Sequence, residues 1–205
     1  MSKIEVLNLI GNTPMVHLKT LDPKPGVEIY AKLEFMNPTG SYKDRIIAYM
    51  IQKGIETGKI NNNTTLVEGS SGNTGASVSM IASSMGLKSI LFVPDKCSDE
   101  KVAIIRSYGA EVIVIPAPES YEGAAANKAK EDANFYHIDQ YNSQLNPEAH
   151  YMTTGKEIWD DMNGKIDAFI ATASTGGAIS GIAKRLKEND TNIKVVLADP
   201  EGSVY

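Results

Sequence analysis

The chain has 205 residues, of which 42% are hydrophobic and 22% are charged, with a net charge of −5. This composition is that of a globular protein and excludes intrinsic disorder, a collagen-like repeat and a disulfide scaffold. The acidic balance argues against nucleic acid as a partner, and the apolar runs are too short to span a membrane. We expect a cytoplasmic protein, because the first residues lack a signal-peptide core and Cys97 is the one cysteine.

Short β-rich runs follow one another along the chain. Several are continuous apolar stretches, which is typical of strands covered on both faces. The runs predict eight strands: Met15–Lys19, Glu28–Glu34, Thr65–Glu68, Ser89–Val93, Glu111–Ile115, Phe135–Ile138, Asp167–Thr172 and Lys194–Ala198.

Helical patterns occupy the segments between most of these strands. They predict six helices: Tyr42–Thr57, Thr74–Met85, Asp99–Tyr108, Tyr121–Ala133, Pro147–Met162 and Gly177–Glu188. Ser98 is expected to cap the third helix, and four glycines stand where left-handed helix ends are favoured: Gly58, Gly86, Gly109 and Gly164. The alternation of strands and helices indicates an open α/β fold with mainly parallel sheets.

The motifs of several common chemistries are missing. His17, His137 and His150 are far apart and no CxxC occurs, so no metal site is expected. No P-loop, no GxGxxG after a strand and no GxSxG is present. Mononucleotide, dinucleotide and α/β-hydrolase sites therefore lack their sequence signatures.

The segment Asn37–Arg45 places a lysine, Lys43, in the first turn of a predicted helix. The helix dipole disfavours a cation there and lowers its pKa, which suits a lysine that acts as a nucleophile or a base. A solvated lysine on an exposed first turn is the alternative interpretation.

Two further loops follow predicted strands and open predicted helices. Glu68–Gly75 is rich in small and hydroxyl residues, so its backbone N–H groups can approach an anion such as a carboxylate. Ala173–Gly181 has the composition of a phosphate cradle. Each loop is also explained as a tight capped turn. Together with a lysine that can form an imine, they indicate pyridoxal phosphate acting on an amino acid.

The sequence resembles the cysteine synthase/cystathionine β-synthase family of fold-type II pyridoxal-phosphate enzymes. The resemblance runs along the whole chain, and its motifs occur in the family's order: Ile10–Pro14, Asn37–Arg45, Ser70–Gly75, Asp139–Asn142, Asn146–Tyr151 with Thr153 and Thr154, and Ser174–Gly177. It implies two open, mainly parallel α/β sheets, as in the β subunit of tryptophan synthase. It also implies a large domain of residues 1–44 and 146–205, incomplete here, a small mobile domain of residues 45–145, and a homodimer.

The resemblance assigns roles to particular residues. Lys43 matches the catalytic lysine that holds the cofactor and later moves the α-proton, and Asn73 matches the asparagine that bonds the pyridine 3′-oxygen. The loop that grips the substrate carboxylate comprises Ser70, Ser71, Gly72, Asn73 and Thr74, with Gln140 as its partner. The cofactor phosphate is assigned to Ser174, Thr175, Gly176, Gly177 and Ala178.

Some positions depart from the usual family pattern. Ala178 stands where threonine is usual, which removes one expected phosphate donor, and Tyr42 stands where valine is common. Family members continue well past the end of this chain, so we expect a C-terminal truncation that removes the partner of the pyridine nitrogen.

The implied activity is β-replacement on L-serine or O-acetyl-L-serine by a thiol or sulfide. Asp199–Ser203 and the tyrosine of Asp139–Tyr141 resemble the cystathionine β-synthase branch, which favours cystathionine synthesis from serine and homocysteine. Cysteine synthase is the alternative within the same chemistry. A non-catalytic cofactor-binding or dimerising fragment and a generic phosphate-ligand-binding protein are the alternatives from other classes.

Overall fold

Strands and helices alternate through residues 5–203, the part of the chain that the computed structural model describes. The strands are β1 (Met15–His17), β2 (Tyr30–Lys32), β3 (Thr65–Gly69), β4 (Lys88–Pro94), β5 (Glu111–Ile115), β6 (Phe135–His137), β7 (Ala168–Ala171) and β8 (Lys194–Leu197). The α-helices are α1 (Lys43–Glu56), α2 (Asn73–Ser84), α3 (Asp99–Ser107), α4 (Tyr121–Lys128), α5 (Leu145–Met152), α6 (Thr154–Asp161) and α7 (Gly177–Asn189). Short 3₁₀ helices cover Val6–Leu9, Lys19–Leu21 and Glu34–Met36. The expectations of a missing signal peptide and of a truncation depend on the two chain ends, which lie outside the described residues.

A four-stranded parallel sheet in the order β5-β4-β3-β6 lies at the centre of the fold. β7 and β8 form a separate parallel pair, and β1 pairs with β2 antiparallel across a connection that contains the 3₁₀ helix Lys19–Leu21. The predicted open, mainly parallel α/β fold is thus confirmed. Among the described residues, however, the strands outside the four-stranded sheet form two pairs and are not joined to one another.

The core is divided by the central sheet. Successive side chains of a strand point to opposite faces, so Leu66 of β3 packs in a cluster with α1 and α2, whereas Val67 packs with Ala125 of α4. A third cluster, formed by Ile158, Ile182, Leu186 and Ile193, packs α6 against α7. Every residue of β3 is buried. The end of β3 is therefore held between layers on both faces.

Helix ends follow the predictions with two differences. The four predicted glycines have positive φ between +70° and +91°, and Ser98 occupies the N-cap of α3, although its side chain makes no cap hydrogen bond. The single predicted helix Pro147–Met162 is wrong, because the chain breaks at Thr153 into α5 and α6. The Thr153 hydroxyl donates to the Ala149 carbonyl at 2.7 Å, and such back-bonding favours a bend.

A buried ion network fixes α1 against α6. The guanidinium of Arg45, whose side chain is 1% exposed, donates to Glu34 at 2.6 Å and to Glu157 at 2.6 Å. Glu157 also accepts the main-chain N–H of Asn12 at 3.0 Å. Burial raises the pKa of Glu157, but its bonds to Arg45 and Asn12 outweigh burial and lower it to about 2. The network therefore positions the helix that begins at Lys43.

Candidate active site

The predicted site segments meet at one cavity of about 330 Å³ at the carboxyl end of β3. A volume of this order is typical of small-ligand sites. The wall is formed by residues 69–74 together with Tyr42, Lys43, Tyr121, Gln140, Tyr141, Ser174 and Thr175. The topology thus brings Lys43 together with two loops, which are named here for their predicted ligands: the carboxylate loop, Ser70–Thr74, and the beginning of the phosphate loop, Ser174–Ala178.

A second cavity of about 390 Å³ lies beside α1 and α6. Its charged wall includes Arg45 and Glu157, which are paired with each other. It contains none of the predicted cofactor or substrate residues. We therefore place the candidate site in the smaller cavity.

Lys43 is the first residue of α1, and its Nζ is buried without a hydrogen-bond partner among the described residues. The Nζ lies 5.0 Å from the centroid of the Tyr42 ring. Burial lowers the pKa of Lys43 to about 8, partly opposed by the negative charge of Glu68. The direction agrees with the sequence prediction, but burial is the main cause instead of the helix dipole. The alternative of a solvated, exposed lysine is wrong.

The turn before Lys43 is tied to α2 by a buried carboxylate. Asp44 accepts hydrogen bonds from the Thr39 N–H at 2.8 Å, from the Thr39 hydroxyl at 2.6 Å and from the Ser77 hydroxyl at 2.5 Å. Since Asp44 is fully buried, these bonds are shielded from water. They hold the start of α1, and with it Lys43, in a fixed position.

The carboxylate loop runs from Ser70 to the first turn of α2. Asn73 is the first residue of that helix, so free main-chain N–H groups face the loop. The Thr74 hydroxyl donates to Gln140 Oε1 at 2.7 Å in a fully buried bond. A Cβ added at Gly75 would lie 2.6 Å from the Ser70 carbonyl oxygen, which explains why a glycine follows. The predicted pairing of this loop with Gln140 is present in the structure.

Gln140 is brought to the cavity by a turn after β6. Asp139 has a φ of +55°, and its N–H donates to Glu68 Oε2 at 2.8 Å. Glu68 is 2% exposed, and burial raises its pKa to about 8 against the opposing effect of the N–H bonds from Asp139, Gly69 and Gln140. Glu68 thereby satisfies the backbone at the point where β6 ends and the chain turns towards Gln140.

The phosphate loop lies between β7 and α7. Ser174 and Thr175 reach the cavity wall, whereas Gly176, with a φ of +77°, and Gly177 lead into the helix behind them. The side chain of Ala178 packs against the cluster of Ile158, Ile182, Leu186 and Ile193. Any bond from Ala178 to an anion would therefore come from its main-chain N–H in the first turn of α7.

Sequence reasoning gave no role to three residues that shape this site. Glu68 holds the turn before Gln140, Asn146 bonds to both Gln140 and Thr175, and Tyr121 lines the cavity. The only signal for Glu68 was a charged residue inside an apolar strand. Asn146 lies in a segment that matches the family, yet its role depends on contacts that are distant in sequence.

The donor set fits pyridoxal phosphate. A buried amine with an unsatisfied Nζ can bond to the aldehyde, hydroxyls and a helix N-terminus can bind the phosphate, and the Asn73 amide lies at the same wall. Within the described residues no group of three His, Cys, Asp or Glu side chains is placed to hold a metal ion. None of the described helices is long and apolar enough to cross a membrane.

Comparison with known proteins gives a consistent result. Residues 6–205 match the family described as pyridoxal-phosphate dependent enzyme. The chain is 43% identical to a cystathionine beta-synthase of Saccharomyces cerevisiae over 99% of its own length and 43% of the relative's. It is 39% identical to a cysteine synthase of Staphylococcus aureus over 97% of its own length and 65% of the relative's.

A solved hydrogen sulfide-producing enzyme from Fusobacterium nucleatum superposes with a TM-score of 0.91 at 40% identity, covering 97% of this chain and 66% of that one. The chain thus spans between about two fifths and two thirds of the length of these three proteins. With this likeness in fold and sequence, and with the matching site geometry, the chain belongs to the family of pyridoxal-phosphate-dependent enzymes.

Proposed function

We propose that this chain carries the catalytic centre of a β-replacement enzyme that acts on L-serine or O-acetyl-L-serine. The observation that carries the proposal is the buried, unbonded Nζ of Lys43, with a pKa of about 8, in one cavity with the carboxylate and phosphate loops. Pyridoxal phosphate, when bound, supplies an electron sink for the charge that develops at the substrate Cα.

Lys43 has two tasks in this proposal. Its Nζ would hold the cofactor, and the same Nζ would take the proton from the substrate Cα. A pKa of about 8 leaves a useful fraction of neutral amine near neutral pH. The fixed start of α1, tied down by Asp44, keeps the Nζ within reach of both positions.

The carboxylate loop orients the substrate. Because Gln140 Oε1 already accepts the Thr74 hydroxyl, the donating Nε2 of Gln140 is the end left for an anionic ligand. Ser70, Ser71 and the N–H groups at the start of α2 supply further donors. Fixing the carboxylate and the amino group of the substrate sets the direction of its Cα–H bond towards Lys43.

We propose cystathionine synthesis from serine and homocysteine as the preferred reaction, with cysteine synthesis from O-acetylserine and sulfide as the alternative. Asp199–Ser203 and Tyr141 support the first choice. Both names occur among the relatives, and the chain spans only part of their length. We also propose that residues 45–145 form a mobile domain, that the protein is a homodimer and that it lies in the cytoplasm.

The first experiment is intact mass spectrometry after incubation with pyridoxal phosphate and reduction with borohydride. We expect one cofactor adduct, which Lys43→Ala abolishes. Lys53→Ala is the matched control, because Lys53 lies on the same helix but its side chain is 35% exposed and paired with Glu56. An adduct that persists in Lys43→Ala would overturn the assignment.

Steady-state turnover then separates the reactions. The chain is assayed with serine plus homocysteine and with O-acetylserine plus sulfide. Faster turnover of the first pair supports cystathionine synthesis, and faster turnover of the second reverses the preference. An adduct on Lys43 without turnover of either pair would favour the non-catalytic cofactor-binding alternative.

A further inference from the structure

Asn146 lies at the start of α5, between the carboxylate partner and the phosphate loop, and it is 2% exposed. Its Nδ2 donates to the main-chain carbonyl of Gln140 at 3.0 Å and to Thr175 Oγ1 at 3.0 Å. Its Oδ1 is buried and accepts no hydrogen bond from the described residues. One side chain therefore joins two segments of the candidate site that are far apart in sequence.

The two bonds fix the orientation of the amide. A carbonyl oxygen can only accept, so the Nδ2 of Asn146 must face Gln140, and the second Nδ2 hydrogen then points at Thr175 Oγ1. A rotated amide would place its oxygen against the Gln140 carbonyl and lose that donation. The unsatisfied Oδ1 is the consequence of keeping both bonds.

This orientation determines what the Thr175 hydroxyl can do. Since Thr175 Oγ1 accepts from Asn146, its own hydrogen is left to donate elsewhere, and Thr175 lines the cavity. A hydroxyl whose hydrogen is left to donate is suited to bind an anion. The geometry at Gly177 supports the same contact, because a Cβ there would overlap the Asn146 amide.

We propose that Asn146 is a positioning residue that holds the Thr175 hydroxyl as a hydrogen-bond donor to the cofactor phosphate. Through the Gln140 carbonyl it ties this phosphate contact to the segment that binds the substrate carboxylate. The inference rests on the proposed function, since it takes the phosphate of pyridoxal phosphate as the anion.

The test measures phosphate selectivity, defined as the dissociation constant of pyridoxal divided by that of pyridoxal phosphate. A hydrogen bond to a charged acceptor is worth roughly a 10- to 100-fold change in affinity. We expect Asn146→Ala and Thr175→Val each to lower the selectivity by roughly tenfold or more. Asn127→Ala, on an exposed position of α4, is the control and leaves it unchanged.

The double variant decides whether Asn146 acts through Thr175. In the Thr175→Val protein, Asn146→Ala should cause little further loss of selectivity, because the hydroxyl that it orients is gone. Losses that multiply, or an Asn146→Ala protein with full selectivity, would overturn the inference.

A second arm needs no cofactor. The urea midpoints of the two single variants and the double variant are compared, and a bond between Asn146 and Thr175 predicts that the double shift is smaller than the sum. Additive shifts would overturn the inference. Should the unmodified chain bind neither pyridoxal nor its phosphate, the proposed function fails, while this arm still decides whether Asn146 holds Thr175.

Discussion

The carboxylate of Glu68 accepts the main-chain N–H of Asp139 at 2.8 Å and thereby supports a left-handed residue with a φ of +55°. Left-handed backbone is unfavourable for most residues, although aspartate tolerates it better than most. Without this acceptor the turn would leave a partly buried N–H unpaired. The position of Gln140 in the cavity thus depends on a carboxylate inside the central strand.

The buried Glu68 predicts a pH dependence of stability. Burial raises its folded pKa to about 8 from the ordinary 4.5, so the unfolded chain releases this proton at lower pH, and stability falls as pH rises towards 8. Below about 6.5 the effect is opposed by His150, whose pKa burial lowers to about 3. Urea denaturation from pH 6.5 to 7.5 should show a decline of less than about 1.4 kcal/mol per pH unit. The decline flattens towards pH 8, because the lowered pKa of Lys43 contributes in the opposite direction there. Glu68→Gln should flatten the decline, and equal slopes in both proteins would contradict the prediction.

Lys43 should titrate well below an ordinary lysine. Burial lowers its pKa to about 8, whereas the exposed Lys53 beside Glu56 has a raised pKa. Competitive acetylation, followed by peptide mass spectrometry across pH 6 to 11, should give a midpoint near 8 for Lys43 and a higher one for Lys53. Glu68→Gln should lower the Lys43 midpoint further, because the charge of Glu68 raises it. An equal acetylation midpoint for Lys43 and Lys53 would contradict the lowered pKa of Lys43.

Removing the charge of Glu157 should destabilise the protein. Glu157→Gln leaves the buried Arg45 guanidinium with Glu34 as its remaining carboxylate partner. Because Glu34 still compensates Arg45, we expect a loss below the roughly 3–5 kcal/mol that follows when a buried charge is left without any partner. Glu56→Gln removes an exposed pair with Lys53 and serves as the control, with a much smaller change expected. Urea unfolding of the three proteins at pH 7 checks this, and similar losses for both variants would contradict it.

Gly177→Ala should impair both stability and phosphate binding. The added methyl overlaps the Asn146 amide, which must move away from Thr175. Overpacking at such a position typically costs about 1–3 kcal/mol. Gly72→Ala provides a contrast for stability alone, since its Cβ would meet nothing within 4 Å but Gly72 lines the cavity. Asn127→Ala, at an exposed position of α4, is the control for phosphate binding. Urea midpoints and pyridoxal phosphate titration should both shift more for Gly177→Ala, and an unchanged midpoint would show that the amide is free to relax.

The strands could be predicted from the sequence because they are rich in apolar and β-branched residues. The apolar runs of β3, β4 and β5 appear in the structure within about two residues of their predicted bounds. The break at Thr153 was missed because the helical pattern continues across it, and the bend comes from a threonine hydroxyl and from packing of α6 on α7. A pattern of residue types shows neither the hydrogen bond of this hydroxyl nor the packing of the two helices.

The site was predictable to the same extent. Lys43 and the two loops have local signatures and meet at one cavity. Asn146 and Glu68 have no local signature of a site. An asparagine before a proline and a glutamate in a strand are both common, and each has an ordinary local explanation. Their roles arise from hydrogen bonds to Thr175 and Asp139, which lie 29 and 71 residues away in sequence.

Gly69 has a consequence for how the wall of the cavity could change during evolution. A Cβ there would lie 2.7 Å from the Cα of Glu122 and 2.8 Å from the Tyr121 carbonyl oxygen, so α4 rests directly on the end of β3. Tyr121, on that helix, is part of the cavity wall. A single alanine at residue 69 would force the backbone of α4 away from the end of β3 and move Tyr121 with it, so this part of the cavity wall can be reshaped without replacing Lys43 or Gln140.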